Sequence, residues 1–195
     1  LLAALILAAG ESKRMGTPKA LLQHEGHTFL ERLLVAARHP KIGITRVVLG
    51  CHSEQVLAKV QLEPATVVLN PEWKKGQLSS IQAAVKALPA DETDGVILFL
   101  VDHPFVSSDL ITVLIERFYL SGKPIVLPTF KGKRGHPVIF SSTLYDELLR
   151  APAESGARAV VWAHAADVLE IPTEEEGVVL NLNDPDALRR ALGSR

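Results

Sequence analysis

With 195 residues, 47% hydrophobic and 22% charged, the chain has the make-up of one globular α/β domain, expected to span 1–195 with little room for a second. A formal net charge of -1 supplies no general basic field for a phosphodiester backbone, so nucleic acid is not an expected partner. The lone cysteine, Cys51, excludes a disulfide within the chain and fits a reducing, cytoplasmic setting.

The apolar opening Leu1–Ala9 is too short to span a membrane and runs directly into a glycine loop. It reads as a first strand over Ala3–Ala9, buried on both faces. Thr28–Glu31 is a capping box for a helix whose inner face carries Phe29, Leu30, Leu33, Leu34 and Ala37. Strands follow at Arg46–Cys51 and Thr66–Asn70, with a helix around Glu54–Val60 between them. Ser79–Leu88 reads as a helix, Gly95–Val101 as the most apolar strand of the middle region, and Ser108–Leu120 as another helix. Pro124–Pro128 and Pro137–Phe140 are strands whose prolines push them toward bends or an edge. Helices near Thr143–Arg150 and Gly156–His164 lead to closing strands around Val168–Ile171 and Val178–Leu182. Asp184 then stands as an N-cap with Pro185 at the first helical position. Strands alternating with amphipathic helices predict a three-layer α/β/α, mostly parallel, Rossmann-like sheet.

The chemistry gathers in Leu7-Ala8-Ala9-Gly10-Glu11-Ser12-Lys13-Arg14-Met15-Gly16-Thr17-Pro18-Lys19. A buried strand feeds a loop of small residues whose amides approach phosphate oxygens closely, while Arg14 and Lys19 supply charge. In an open α/β sheet, ligands collect beyond the carboxyl ends of the strands, where this loop lies. The string is neither a GxGxxG fingerprint nor a GxxxxGK[ST] P-loop, which weakens dehydrogenase and P-loop ATPase readings. Asp102 ends the apolar run Val96–Val101, a place from which a carboxylate bridges a hard cation to phosphates or simply caps a turn. Ser79 and Ser80 open a helix as caps or as ligand contacts, and Trp73 either stacks on a ring or packs. Neither His103 nor His136 has a nucleophile or metal-spacing partner nearby in sequence, so local hydrogen bonding or pocket lining is expected of both. Glu174-Glu175-Glu176 reads as a solvated turn.

The first loop resembles the signature of nucleotidyltransferases with a glycosyltransferase-A-like fold, and most of all the molybdenum cofactor cytidylyltransferases and their guanylyltransferase relatives. The likeness continues through Asn70-Pro71-Glu72-Trp73, Gly76–Ile81, Val101-Asp102-His103-Pro104, Arg134–Val138, Gly156-Ala157-Arg158 and Asn181–Pro185. Alanine at position 9 and the Ser79-Ser80 pair are similar to the cytidylyl branch; the guanylyl branch usually has a second glycine in place of Ala9.

The resemblance implies transfer of CMP from CTP to the terminal phosphate of molybdopterin, with release of pyrophosphate. It implies Arg14, Lys19 and Asp102 as catalytic residues, and nucleotide contacts from Leu7, Ala8, Ala9, Gly10, Arg14, Lys19, Asn70, Ser79 and Ser80. Magnesium, with manganese as a substitute, would be held by Asp102 and Asn183, with Asp184 the second choice for that ligand. His103 and His136 would line the acceptor pocket. The partners implied are an NTP, a phosphorylated pterin and a recipient molybdoenzyme or its chaperone. The rival readings are a cytidylyl- or uridylyltransferase for a small sugar or alcohol phosphate, a guanylyltransferase, and a non-catalytic nucleotide-binding regulator.

Overall fold

In strand β1 (Leu2–Ala8), even-numbered side chains face one way and odd-numbered ones the other, yet almost every position is fully buried. Leu2, Ala4 and Ile6 enter one apolar cluster; Ala3, Leu5 and Leu7 enter a second on the opposite face. A strand buried twice over belongs in the middle of a sheet with helices on both sides.

The computed structural model describes residues 1–89, 92–182 and 185–193. After β1 come a small hairpin, β2 (Gln23–His24) and β3 (His27–Thr28), then α1 (Phe29–Ala36), β4 (Ile42–Leu49), α2 (Ser53–Lys59) and β5 (Val67–Leu69). The middle of the chain forms α3 (Gln77–Lys86), β6 (Gly95–Leu100), α4 (Ser108–Ser121), β7 (Ile125–Phe130), β8 (Lys133–Arg134) and β9 (Val138–Ser141). The last elements are α5 (Tyr145–Arg150), α6 (Arg158–Ala163), β10 (Val168–Pro172) and α7 (Pro185–Gly193).

The strands lie in the order β10-β7-β9-β6-β1-β4-β5, with β8 attached to β7. Along this row all pairings are parallel except those of β9, which runs antiparallel to β6 and β7. Helices α1 and α4 cover the even-numbered face of β1, while α3 and α5 cover the other. The capping box forms as expected: the Glu31 N–H donates to Thr28 Oγ1 and the Thr28 N–H to Glu31 Oε2. The Thr28 N–H first, and then the Thr28 hydroxyl, which also donates to Glu31 Oε2, lower the Glu31 carboxyl pKa. Among the described residues no helix is long and apolar enough to cross a membrane.

Two expectations need correction. Neither β7 nor β9 is an edge strand, since β7 lies between β10 and β9, and β9 between β7 and β6. Pro128 is tolerated inside β7 because the ladder to β9 involves Ile125 and Val126, whereas β8 pairs with Thr129 and Phe130. Pro137 lies just before β9. The second correction is Val178–Leu182, which forms no strand. A 3-10 turn over Glu176–Val178 leads into a strap across the carboxyl ends of the sheet. Its apolar residues mimic a strand because Val178 and Leu182 are fully buried. Its backbone bonds go to loops instead: Val178 O accepts from the His136 N–H, and the Leu182 N–H donates to Asp102 O at 3.0 Å. Gly177 is pressed against the chain after β6, where an added Cβ would stand 1.7 Å from the Phe105 carbonyl oxygen.

Candidate active site

The loop after β1 is shaped by short local bonds. Ser12 adopts a left-handed φ of 55°, its carbonyl accepts the Met15 N–H, and its Oγ accepts the Lys19 N–H at 3.0 Å. Gly16, at φ 67°, lets the chain turn back toward the sheet. Pro18 and Ala20 are buried on either side of Lys19, so the lysine stem leaves from a fixed base. On the other flank, Ala9 O accepts the Cys51 N–H, and Gly50 leaves no room for a side chain against Ala9 and Trp73. The amide N–H groups of Gly10 and Glu11 donate to no described residue, leaving them open to an anion.

Parallel pairing of β1 with β6 carries the second half of the site to the same end of the sheet. The register Leu7↔Leu100 continues as a bond from the Val101 N–H to Leu7 O, and Asp102 follows at once. Lys19 Nζ stands 3.5 Å from Asp102 Oδ2, with side chains 16% and 20% exposed. Little water shields this pair, so its field acts strongly on whatever enters beside it. The two residues border a cavity of about 310 Å³ formed by the β1 loop, the end of β6 and the turn before α3.

Of the expected nucleotide residues, Leu7, Ala8, Ala9, Gly10, Lys19 and Ser80 line this cavity, together with Asp102. Arg14 is exposed on the loop and forms no part of the wall. Asn70 is 3% exposed and lies behind the wall, where its Nδ2 donates to Ser79 Oγ at 2.9 Å and Ser80 Oγ at 3.0 Å. Helix α3 begins at Gln77 with Gly76 as its N-cap, so the two serines sit inside its first turn and do not cap it. The Ser79 hydroxyl turns back to the carbonyls of Glu72 and Gly76. Asn183 and Asp184, the expected second ligand and its alternative, lie outside the described residues.

His103 and His136 come together beside Asp102, their ring centroids 5.1 Å apart. His103 Nε2 is 3.9 Å from Asp102 Oδ1, and the Nδ1 atoms of both histidines are buried without a partner. Burial is the main cause that lowers both imidazole pKa values. It takes His136 down to about 4 with help from neighbouring His103, whereas Asp102 acts against the shift at His103. Both rings are therefore neutral near pH 7. Neither borders the 310 Å³ cavity.

Trp73, which the sequence offers for stacking or packing, borders the cavity, as do Lys74, Gly76, Gln77, Glu11 and Ser12, to which sequence reasoning gives no individual contact. The Gly76–Ile81 segment and the glycine loop carried that signal, but not which side chains face inward.

Among the described residues no three His, Cys, Asp or Glu side chains converge to hold a metal by themselves. A magnesium-like ion does not require that. It keeps several waters and takes one or two carboxylates plus substrate phosphates. Asp102 offers one partly exposed carboxylate to a cavity whose loop also suits phosphate, so the residues present fit such an ion.

A family model described as a MobA-like NTP transferase domain matches residues 4–168. A nicotine blue oxidoreductase of Paenarthrobacter nicotinovorans is 31% identical over 79% of this chain and 78% of its own. A molybdenum cofactor guanylyltransferase of Cereibacter sphaeroides is 31% identical over 96% and 93% of the two chains. The molybdenum cofactor cytidylyltransferase of Escherichia coli K12 is 26% identical over 93% and 91%. Among solved structures, Rv0371c of Mycobacterium tuberculosis superposes with a TM-score of 0.84 at 28% identity, covering 98% of this chain and 97% of its own. A further structure of Rv0371c is a complex with manganese.

Proposed function

We propose that this chain, which belongs to the MobA-like NTP transferase family and is a nucleotidyltransferase, transfers CMP from CTP to the terminal phosphate of molybdopterin and releases pyrophosphate. The observation that carries this reading is the Lys19–Asp102 pair, 3.5 Å apart at the edge of a cavity walled by a small-residue loop. A phosphomonoester has its second ionisation near ~6, so the acceptor oxygen is already an anion at neutral pH and needs no general base. That oxygen attacks the α-phosphorus in line. A new P–O bond forms as the bond to the β-phosphate breaks, and pyrophosphate leaves with the electron pair.

The difficulty is electrostatic, because one anion must approach another. Lys19 supplies the cation at the reacting end, and the free amides of Gly10 and Glu11 receive phosphate oxygens. Arg14 closes onto the outer phosphates from its exposed position once nucleotide is bound. Asp102, with Asn183 or Asp184, would hold Mg²⁺ or Mn²⁺, which when bound neutralises phosphate charge. His103 and His136, close-packed beside Asp102, are the residues assigned to the acceptor side, next to the cavity and not lining it.

Two observations support CTP. Ala9 lines the cavity where the guanylyl branch usually has glycine, and Ser80 lines the same space. The 31% identity to a guanylyltransferase favours GTP as the second reading. Pyrophosphate release measured with molybdopterin, Mg²⁺ and either CTP or GTP separates them. Faster turnover with CTP is expected; equal turnover or a preference for GTP rejects the assignment.

A further inference from the structure

The hydrogen bonds around Asn70 fix which way the Ser80 hydroxyl points. The Glu72 backbone N–H donates to Asn70 Oδ1 at 2.9 Å. A backbone N–H is always a donor, so this contact alone settles which end of the amide is oxygen. The NH₂ end then faces the serines, with one hydrogen for Ser79 Oγ and one for Ser80 Oγ. Both hydroxyls are thereby acceptors toward Asn70, and their own hydrogens must go elsewhere. Ser79 sends its hydrogen to the carbonyls of Glu72 and Gly76. The Ser80 hydrogen has no acceptor among the described residues, although the residue is only 4% exposed and borders the cavity. A buried hydroxyl hydrogen left unmatched is costly, so the occupant of the cavity is selected for an acceptor atom at that point.

We infer that Asn70 is a positioning residue that sets Ser80 as a hydrogen-bond donor, and that Ser80 thereby selects the acceptor nitrogen at ring position 3 of cytosine over the N–H that uracil carries there. The inference rests on the reading of this cavity as a nucleotide site and adds the device that discriminates between bases. Cytosine and uracil have nearly the same outline, so shape alone hardly separates them. Polarity does. A hydroxyl already committed to Asn70 gives its hydrogen to cytosine N3, whereas against uracil two donors meet.

Asn70→Asp reverses the device with almost no change of shape. A carboxylate still accepts the Glu72 N–H, but it has no hydrogen for the serines, so Ser80 turns its own hydrogen inward and presents lone pairs to the cavity. Binding of CTP and UTP by the whole protein with Mg²⁺ is measured by calorimetric titration, because the ratio of the two dissociation constants cancels the added charge of the aspartate. The wild type should favour CTP by ~10-fold or more, as expected when a buried polar group is matched in one ligand and not in the other. In Asn70→Asp the preference should vanish or invert. In Ser80→Ala it should fall near unity, and adding Asn70→Asp to that variant should change it no further. Ser79→Ala should keep the wild-type ratio.

If Asn70→Asp does not reach the native circular dichroism spectrum, the contrast between Ser80→Ala and Ser79→Ala decides the matter alone. A CTP:UTP ratio unmoved by Ser80→Ala, or moved equally by Ser79→Ala, overturns the inference and leaves the nucleotidyltransferase reading intact. An Asn70→Asp effect that persists in the Ser80→Ala background overturns it as well. Failure of the wild type to bind either nucleotide overturns both readings together.

Discussion

Replacing Lys19 with alanine removes the cation that stands 3.5 Å from the Asp102 carboxylate in a pair shielded from most water. At that separation, with an effective dielectric constant of about 20, a unit positive charge interacts with a unit negative charge by roughly 5 kcal/mol. A phosphate oxygen occupying a comparable position meets the same field. If about half a unit of negative charge builds there during transfer, the interaction deepens by roughly 2.5 kcal/mol, which is close to ~10²-fold in rate. Lys19→Ala should therefore lower the single-turnover rate at saturating CTP by about that factor. The affinity for CTP should fall much less, since the loop amides and Arg14 still hold the outer phosphates. Arg14→Ala should do the opposite, weakening CTP binding several-fold with little loss of rate at saturation, because Arg14 is exposed and away from the reacting end. Stopped-flow single turnovers beside a direct binding titration separate the two variants. If Lys19→Ala binds CTP poorly yet reacts at the wild-type rate once saturated, Lys19 is a ground-state anchor and this division of labour is wrong.

Asp102→Asn keeps the shape of the side chain and removes its charge, so Mn²⁺ binding in the presence of CTP, followed by electron paramagnetic resonance, should weaken and turnover should fall by ~10²-fold or more; unchanged Mn²⁺ affinity would reject the ligand assignment. Gly177→Ala forces a Cβ to within 1.7 Å of the Phe105 carbonyl oxygen, and a clash with backbone should cost about 3 kcal/mol and lower the melting temperature by roughly 6 °C or more. Gly10 has open space at the same atom, so Gly10→Ala should leave the melt unchanged while weakening CTP binding through the added methyl; a reversed order of the two melts counts against the packing described. Because His136 is held down to about 4 in the fold whereas a free histidine titrates near ~6.5, the unfolded chain takes up the proton first. Stability should thus drop as pH falls from ~6.5 toward ~4, by up to about 3 kcal/mol, and His136→Gln should flatten that limb of a urea-denaturation series. An equally steep limb in the variant would assign the acid sensitivity to other groups.

The parts of this molecule that are legible in its sequence are those where local pattern and burial agree. The Leu2–Ala8 run is apolar at every position because both faces are covered, and the Thr28–Glu31 box announces its helix through contacts three residues apart. Asp102 could be placed because it follows the uninterrupted apolar run of β6 at its carboxyl end, where ligands gather in such sheets. Legibility fails where a segment is held by distant partners. Val178 and Leu182 are as buried as strand residues, but their backbone partners are His136 and Asp102, and no local pattern distinguishes a strap from a strand. The same limit applies to Asn70, whose place in a motif suggested contact with nucleotide, while its position behind two serines depends on how β5 meets α3. The Gln23–Thr28 hairpin went unread because its turn, Glu25-Gly26, has a glutamate in the left-handed region where asparagine or aspartate usually gives the signal.

The bond from Leu182 to Asp102 and the seating of Gly177 against Phe105 also bear on when the site comes into being. The loop after β1 precedes the strap in the chain, so a growing chain contains the loop before the residues that brace Asp102. The contacts that complete the site are of long sequence separation, and such contacts form late and slowly. A chain interrupted before Gly177 would still contain Arg14, Lys19 and Asp102 while lacking the brace that holds Asp102 in register. Bracing of Asp102 in this fold thus depends on chain from Gly177 onward, far in sequence from the strand end it holds.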